Sequence, residues 1–276
     1  MAVHKSKAQK HEQLKILYQD KDILIISKPS GLLSVPYSGC RAHTVLDLLE
    51  KIMRSKGTYS QSHRPFAVHR LDRDTSGIMM FALNVRAQKK VMDSWHKMVT
   101  ERLYHAVAEN PKDKKLLLPD SGLIDEALAQ NVFHKGYVPK NDNVKTEVAR
   151  TYYRIILRGK THTLFELSLD TGKKNQIRAH LASKGYPLAG DKNYRSRTDP
   201  FKRLALHART LEFIHPYTGE KMRFELPESD EWIEYVKQGD SRSSYNSLSK
   251  VQAKHISAKQ KSRLDFIAQG KLKLEK

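Results

Sequence analysis

Apolar side chains recur at two spacings along residues 16–236, and those spacings separate strands from helices. Residues 23–28, Ile-Leu-Ile-Ile-Ser-Lys, form a short β-rich run closed by Pro29 and Gly31. Thr44 and Asp47 fit a capping box opening a helix with the stripe Val45, Leu46, Leu49, Ile52 and Met53, and Gly57 ends it. Two strand-like runs follow, around 66–71 and 77–83. Asn84 can cap a helix over about 85–100 that turns Val85, Val91, Trp95, Met98 and Val99 inward. Strands dominate afterwards, at 103–108, 145–158, 162–170, 204–214 and 221–226, interrupted by a helix over about 175–184 that Gly185 closes. His215-Pro216-Tyr217-Thr218-Gly219 is a turn joining the last two strands. Long series of strands with few helices between them predict an α+β fold: a mixed, mostly antiparallel twisted sheet flanked by helices. No repeat or low-complexity break interrupts the region. One domain is therefore expected over 16–236, between a polar N-terminal arm (1–15) and a C-terminal tail (237–276).

Charge sharpens this picture. Among 276 residues, 50 Lys and Arg face 30 Asp and Glu, a net charge of +20. Such an excess favours a polyanion, through phosphate neutralisation and counterion release. An anionic membrane would also attract it. However, no long helix sets an aromatic and leucine face against a basic one, and no apolar run approaches the ~20 residues that span a bilayer. Nucleic acid is the expected partner, and a membrane is not. Residues 241–276 hold seven Lys and two Arg against Asp265 and Glu275. They read either as an electrostatic grip or as a solubilising tail without specificity. The N-terminal Met-Ala-Val-His-Lys-Ser-Lys has no apolar stretch of a secretory signal. Cys40 is the only cysteine, which excludes an intramolecular disulfide and cysteine-rich zinc modules and fits a cytoplasmic setting.

Three segments could carry chemistry. His69-Arg70-Leu71-Asp72-Arg73-Asp74-Thr75-Ser76-Gly77 lies between two apolar strands, as a loop on rigid supports. It could be a salt-bridged turn, or a carboxylate held ionised by arginines and aimed at a bound polyanion. Thr171-Gly172-Lys173-Lys174-Asn175-Gln176-Ile177-Arg178 presents two lysines at a helix N-terminus, a phosphate site or an ordinary strand–helix connection. It continues through Gly185-Tyr186-Pro187-Leu188-Ala189-Gly190-Asp191-Lys192-Asn193-Tyr194, a turn-rich loop carrying an aromatic and a cation. Arg203-Leu204-Ala205-Leu206-His207-Ala208 is a strand that opens on an arginine.

The first segment resembles the His-Arg-Leu-Asp-x-x-Thr-Ser-Gly signature of RluA-family pseudouridine synthases. Residues 16–32 resemble the family's opening strand pair, 171–194 its Thr-Gly-Arg-x-His-Gln-Ile-Arg…Gly-His-Pro-Leu-x-Gly-Asp segment, and 203–208 with 215–219 its closing strands. Ordered matches run from residue 16 to about 227. The resemblance implies the pseudouridine synthase fold with a central RNA-binding cleft, as a stand-alone catalytic domain without the S4-type domain. It implies Asp72 as the catalytic carboxylate, Arg178 as its partner and Tyr104 as the ring that stacks on the target base. Arg70 and Thr75 would shape the catalytic loop, with Lys173, Lys174, Asn175, Lys192 and Arg203 contacting RNA. There are departures. Lys173 stands for the family's arginine, Asn175 and Tyr186 for histidines, Arg102 for a lysine and Arg195 for a glycine.

The implied reaction breaks the N-glycosidic bond of uridine, turns the uracil and rejoins it through carbon. Nothing is oxidised, so no cofactor and no metal are expected. The partner would be ribosomal RNA or tRNA, and the protein a monomer. An aspartate is ionised at neutral pH, and a forked hydrogen bond from arginine would fix its direction. The carboxylate could attack the sugar or remove a proton from it. Two rivals remain. One is a non-catalytic RNA-binding protein of the same fold. The other is a metal-dependent nuclease, although the histidines show no HExxH or comparable ligand spacing.

Overall fold

A computed structural model describes residues 13–37, 39, 42–141 and 143–239. The expectations placed on the N-terminal arm before residue 13, on Cys40 and on the basic tail from residue 240 lie outside the described residues. In chain order the elements are β1 (Lys15–Gln19), β2 (Ile23–Lys28), α1 (Val45–Ser55), β3 (Phe66–Ala67), β4 (Ser76–Ala82), α2 (Val85–Met98), β5 (Val99–Glu109), β6 (Ser121–Asp125), β7 (Ala129–Gln130), β8 (Gly136–Tyr137), β9 (Arg150–Arg158), β10 (His162–Leu169), α3 (Gln176–Ser183), β11 (Leu206–Ile214), β12 (Lys221–Glu225) and α4 (Asp230–Gln238). Single 3-10 turns lie at Lys114–Leu116 and Lys192–Tyr194.

The main sheet runs β1-β2-β4-β11-β5-β10-β9-β6, with β3 beside β4 and β12 beside β11. Every pairing in it is antiparallel except β4 with β11, where His207 faces Ser76 and Ala208 faces Gly77. This is the mixed, mostly antiparallel α+β architecture expected. Alternation builds its two faces, because successive side chains of a strand point to opposite sides. Leu24, Ile26, Met79 and Phe81 meet Val45, Leu49 and Met53 of α1. Ile23, Ile25, Ile78 and Met80 meet Val91 and Met98 of α2 on the other face. Each such side chain contributes roughly 1.5–3 kcal/mol when fully buried. Covered on both faces, β4 is buried along its whole length.

The caps form as the sequence indicates. Thr44 and Asp47 make a reciprocal capping box, and the Asn84 carboxamide oxygen accepts from the Ala87 N–H at 2.8 Å. Other expectations need correction. The run at 66–71 is a strand only over Phe66–Ala67, because the chain then turns into the loop carrying Asp72. The strand expected from 145 begins at Arg150, since Glu147 leaves the sheet to bridge Leu128. Val85 is exposed, and Ala87 takes the buried position it was expected to fill. Arg203 precedes β11 rather than opening it. Helix α4 went unpredicted and runs through Gln238, past the boundary expected at 236. Its Trp232 and Val236 cover Val107, Leu164 and Ala205.

Candidate active site

The loop between β3 and β4 is fastened at nearly every residue. The fully buried Lys28 ammonium donates to the carbonyls of Pro29 (2.8 Å), Leu32 (2.6 Å) and Arg73 (2.8 Å), tying the end of β2 to the loop. Ser34 Oγ donates to the Leu71 carbonyl at 2.8 Å, and Ser30 Oγ to that of Asp74 at 2.7 Å. Leu71 itself is in the core. Gly77 has φ +118°, and a Cβ there would lie 2.2 Å from the Ala208 carbonyl oxygen. Only glycine permits the close parallel approach of β4 and β11 that fixes the loop's exit. The salt-bridged turn does form, but between Arg73 and Asp74 (3.0 Å), facing solvent. Asp72 turns the other way.

There it meets the start of α3. Gln176 braces the segment before the helix. Its Oε1 accepts from Thr171 Oγ1 (2.8 Å) and the Lys173 N–H (2.9 Å), and its Nε2 donates to the Arg150 carbonyl (2.8 Å). Asn175 occupies the N-cap position as expected, but at φ +57° and with no side-chain capping bond. Its carboxamide instead donates Nδ2–H to Asp72 Oδ2 at 2.6 Å. Arg178 Nη1 donates to the same oxygen at 3.2 Å. The remaining fork of Arg178 grips the buried Asp191 carboxylate, with Nε to Oδ2 at 2.7 Å and Nη2 to Oδ1 at 2.9 Å. Its guanidinium also lies over the Tyr194 ring, 5.0 Å from the centroid. Burial opposes the charge on Arg178, but Asp191 and Asp72 more than offset it and hold the group well above the ordinary arginine value. Arg178 is therefore a fixed cation. Asp191 rides on a loop held by the buried Glu109, which accepts the N–H groups of Arg197 (2.6 Å) and Thr198 (2.7 Å).

A cavity of about 350 Å³ opens over this cluster, lined by Asp72 and Arg178 with Arg70, Thr75, Tyr104, Lys173 and Asn175 of the residues singled out in the sequence. Tyr104 projects from β5 between Ala208 and Leu167, only 8% exposed. Burial, reinforced by the Asp72 charge against the opposing effect of Arg102, raises its pKa, so the ring is a neutral phenol. Not all the expected cations converge. Lys174 and Lys192 are exposed and lie off the cavity lining. Arg203 also lies off it; its guanidinium donates to Ser76 Oγ, which in turn bonds His207 Nδ1 at 2.7 Å, a strut across the parallel strand pair. Lys173 is paired with Glu147 at 3.0 Å. Asn175 spends its carboxamide on Asp72 rather than on a phosphate. A motif match names such residues but does not reveal which partners reach them.

The sequence reading missed Asp191, Trp95, His69 and Arg102. Asp191 had one signal, its place in the Gly-Asp of the second segment. Trp95 was assigned to the core, yet it lines the cavity beside His69, with ring centroids 4.8 Å apart. Loss of hydration, then the nearby Arg102 charge, lower the His69 pKa to about 3. The ring is neutral, and its Nε2 accepts the Met80 N–H at 2.9 Å. Arg102 donates to the Leu169 carbonyl (3.4 Å) and has no carboxylate partner among the described residues. Tyr186 is buried, its ring perpendicular to Phe165 at 5.2 Å, so its departure from the family pattern is absorbed by the core. Among the described residues no three His, Cys, Asp or Glu side chains gather as a metal site, and no helix is long and apolar enough to cross a membrane.

A family model described as RNA pseudouridylate synthase matches residues 22–183. The ribosomal large subunit pseudouridine synthase D of Pasteurella multocida is 33% identical over 237 residues, covering 81% of this chain and 70% of its own. The uncharacterized RNA pseudouridine synthase YlyB of Bacillus subtilis is 34% identical over 224 residues, covering 81% of this chain and 72% of its own. Among solved structures, human RNA pseudouridylate synthase domain containing 4 superposes with a TM-score of 0.62 at 22% identity, over 79% of this chain and 90% of that one, and shares the fold.

Proposed function

The chain belongs to the RNA pseudouridylate synthase family, in its RluA branch, and is an RNA pseudouridine synthase; from that premise we propose that Asp72 is the carboxylate that acts on the target nucleotide and that the substrate is ribosomal RNA. The observation that carries the first assignment is the Asp72 carboxylate, held by Arg178 at 3.2 Å at the floor of a cavity. An arginine that stays charged can orient and stabilise an anion but cannot exchange a proton with substrate. The acid–base or nucleophilic work therefore falls to Asp72. Tyr104, a neutral ring on the cavity wall, stacks on the displaced uracil. Unstacking a nucleotide costs a few kcal/mol, and an aromatic platform returns ~1–3 kcal/mol per base. Arg70 and Arg102 hold flanking phosphates. Thr75 closes the turn, its N–H on the Asp72 carbonyl at 3.2 Å.

The substrate assignment rests on the relatives named as ribosomal large subunit synthases. A ribosomal RNA substrate is consistent with a cytoplasmic setting. The test uses large-subunit ribosomal RNA and tRNA, each tritiated at uracil C5, since forming the carbon–carbon glycosidic bond expels that hydrogen. Release from ribosomal RNA alone is expected, and Asp72→Asn should abolish it while RNA affinity persists. Turnover by Asp72→Asn would defeat the assignment of the carboxylate. Release from tRNA alone would defeat that of the substrate.

A further inference from the structure

We propose that Asn175 is a positioning residue that, together with Arg178, captures Oδ2 of Asp72 and leaves Oδ1 as the oxygen that reacts; this rests on the assignment of Asp72 above. Both donors converge on one oxygen, Asn175 Nδ2 at 2.6 Å and Arg178 Nη1 at 3.2 Å. Oδ1 has no hydrogen-bond partner among the described residues, and the Asp72 side chain is 21% exposed, open to the cavity. Two donors on one oxygen remove the rotation that would otherwise exchange the two. Held in this way, the carboxylate presents one lone-pair set to substrate with no reorganisation at the moment of reaction.

The orientation of the Asn175 carboxamide follows from donor and acceptor logic. A carboxylate only accepts and a backbone N–H only donates. The amide nitrogen must therefore face Asp72 and the amide oxygen the Gly136 N–H, at 3.4 Å. The left-handed backbone at Asn175 (φ +57°) aims the side chain. Gly136 stands against it: a Cβ there would come within 2.3 Å of the Lys174 carbonyl oxygen. The Gly136 carbonyl is in turn fastened by the Tyr194 hydroxyl. A strained asparagine is thus clamped by the β7–β8 turn and by the ring beneath Arg178. The sequence reading gave this residue to RNA. Its hydrogen-bonding capacity is directed to the carboxylate.

One free oxygen suffices for either route. As nucleophile, Oδ1 gives an electron pair to C1′ while the C1′–N1 pair departs with uracil. As base, Oδ1 takes the C2′ proton, the C2′–H pair becomes the C1′=C2′ bond, and the C1′–N1 pair departs with uracil. In the first route the C5 electron pair then forms the C5–C1′ bond as the Oδ1–C1′ bond breaks. In the second, Oδ1 returns its proton to C2′ as the C5 electron pair forms the C5–C1′ bond. In both, N1 takes up a proton and the C5 hydrogen is released, so the carboxylate is regenerated and substrate and product are isomers.

Three variants test the assignment, read by kcat, KM and the acid limb of the pH–kcat profile. The charged and titratable groups facing Asp72 are Arg178 and Tyr194 from the α3 side and Tyr104 from β5, with His69, Arg70, His96, Arg102 and Lys173 around the cavity. Asn175→Gly removes the amide and tolerates φ +57°. It should lower kcat roughly 10- to 150-fold, the scale of one charge-assisted hydrogen bond, with KM little changed. Asn175→His restores an N–H donor and should recover most of kcat. Asn175→Asp sets a second carboxylate against Asp72; the pair then shares a proton, and the acid limb should move up by about one unit or more. Wild-type kcat in Asn175→Gly would overturn the inference. So would an unmoved acid limb in Asn175→Asp, since loss of mere loop support has that signature. Asp72→Asn, run alongside, keeps the two levels apart, because its turnover reports on the Asp72 assignment alone.

Discussion

Arg178 serves two carboxylates, and removing it should separate stability from turnover. In Arg178→Ala, the Asp191 carboxyl group is left at 2% side-chain exposure without the two bonds at 2.7 and 2.9 Å that offset its burial. Breaking a buried pair by deleting one partner costs about 3–5 kcal/mol. For a domain of this size that corresponds to a fall in Tm of roughly 6–20 °C. Asp72 loses its bond at 3.2 Å but keeps Asn175 and partial exposure, so its penalty falls on function. A hydrogen bond to a charged group is worth ~1.5–3 kcal/mol, or roughly 10- to 150-fold in kcat. Calorimetry gives the first quantity and tritium release below the variant's Tm the second. The double variant Arg178→Met with Asp191→Leu removes the stranded carboxyl group. It should regain most of the lost Tm and remain as slow as Arg178→Ala. Recovery of turnover in the double variant would refute the reasoning, because Arg178 would then act only as a support for the 190–198 loop. A single variant within about 2 °C of wild type would refute the stability half.

Two further predictions follow from charge elsewhere. Opposite the cavity, His105 bonds Glu228 (2.8 Å) and approaches Glu166 (3.5 Å), with all three nearly buried. Burial lowers the His105 pKa, but the two carboxylates outweigh it and raise it above 6.5; burial raises Glu166, but His105 and Arg154 outweigh it and hold it at about 2. The histidine contribution is complete below pH 6.5 and fades as pH rises through the elevated value; the carboxylate contribution is complete above pH 4.5 and fades toward pH 2. Urea melts of wild type and His105→Ala should therefore differ most between those limits, and the gap should narrow as pH rises through the elevated histidine value; a constant gap would count against the ion pairs. Arg70 is exposed on the cavity rim, so Arg70→Ala should reduce the slope of log affinity against log salt by roughly 0.7–0.9, one phosphate contact. Lys173→Ala should change it less, because Glu147 already holds that ammonium; equal slopes for the two variants would contradict the geometry.

What the sequence determined by itself is whatever depends on neighbours along the chain. The continuous apolar runs in Ile23–Lys28 and Ser76–Ala82 encode strands covered on both faces, and Thr44 and Asn84 encode their own caps, because each signal closes within a few residues. The loop signature around Asp72 and the Gln-Ile-Arg of α3 identified the chemistry, and the structure brings those segments together although Asp72 and Arg178 lie 106 positions apart. Only the tertiary structure decided which polar groups were left for substrate. Lys173 met Glu147 from the approach to β9, Arg203 met Ser76 at the parallel pair, and Asn175 was turned onto Asp72 by a left-handed backbone clamped against Gly136. Asp191 became the second anchor of Arg178 through a loop held by Glu109. A charged side chain states in the sequence only what it can bond. Which partner reaches it first is settled by packing across the sheet, where the desolvation of a buried charge demands a near and well-oriented counterpart.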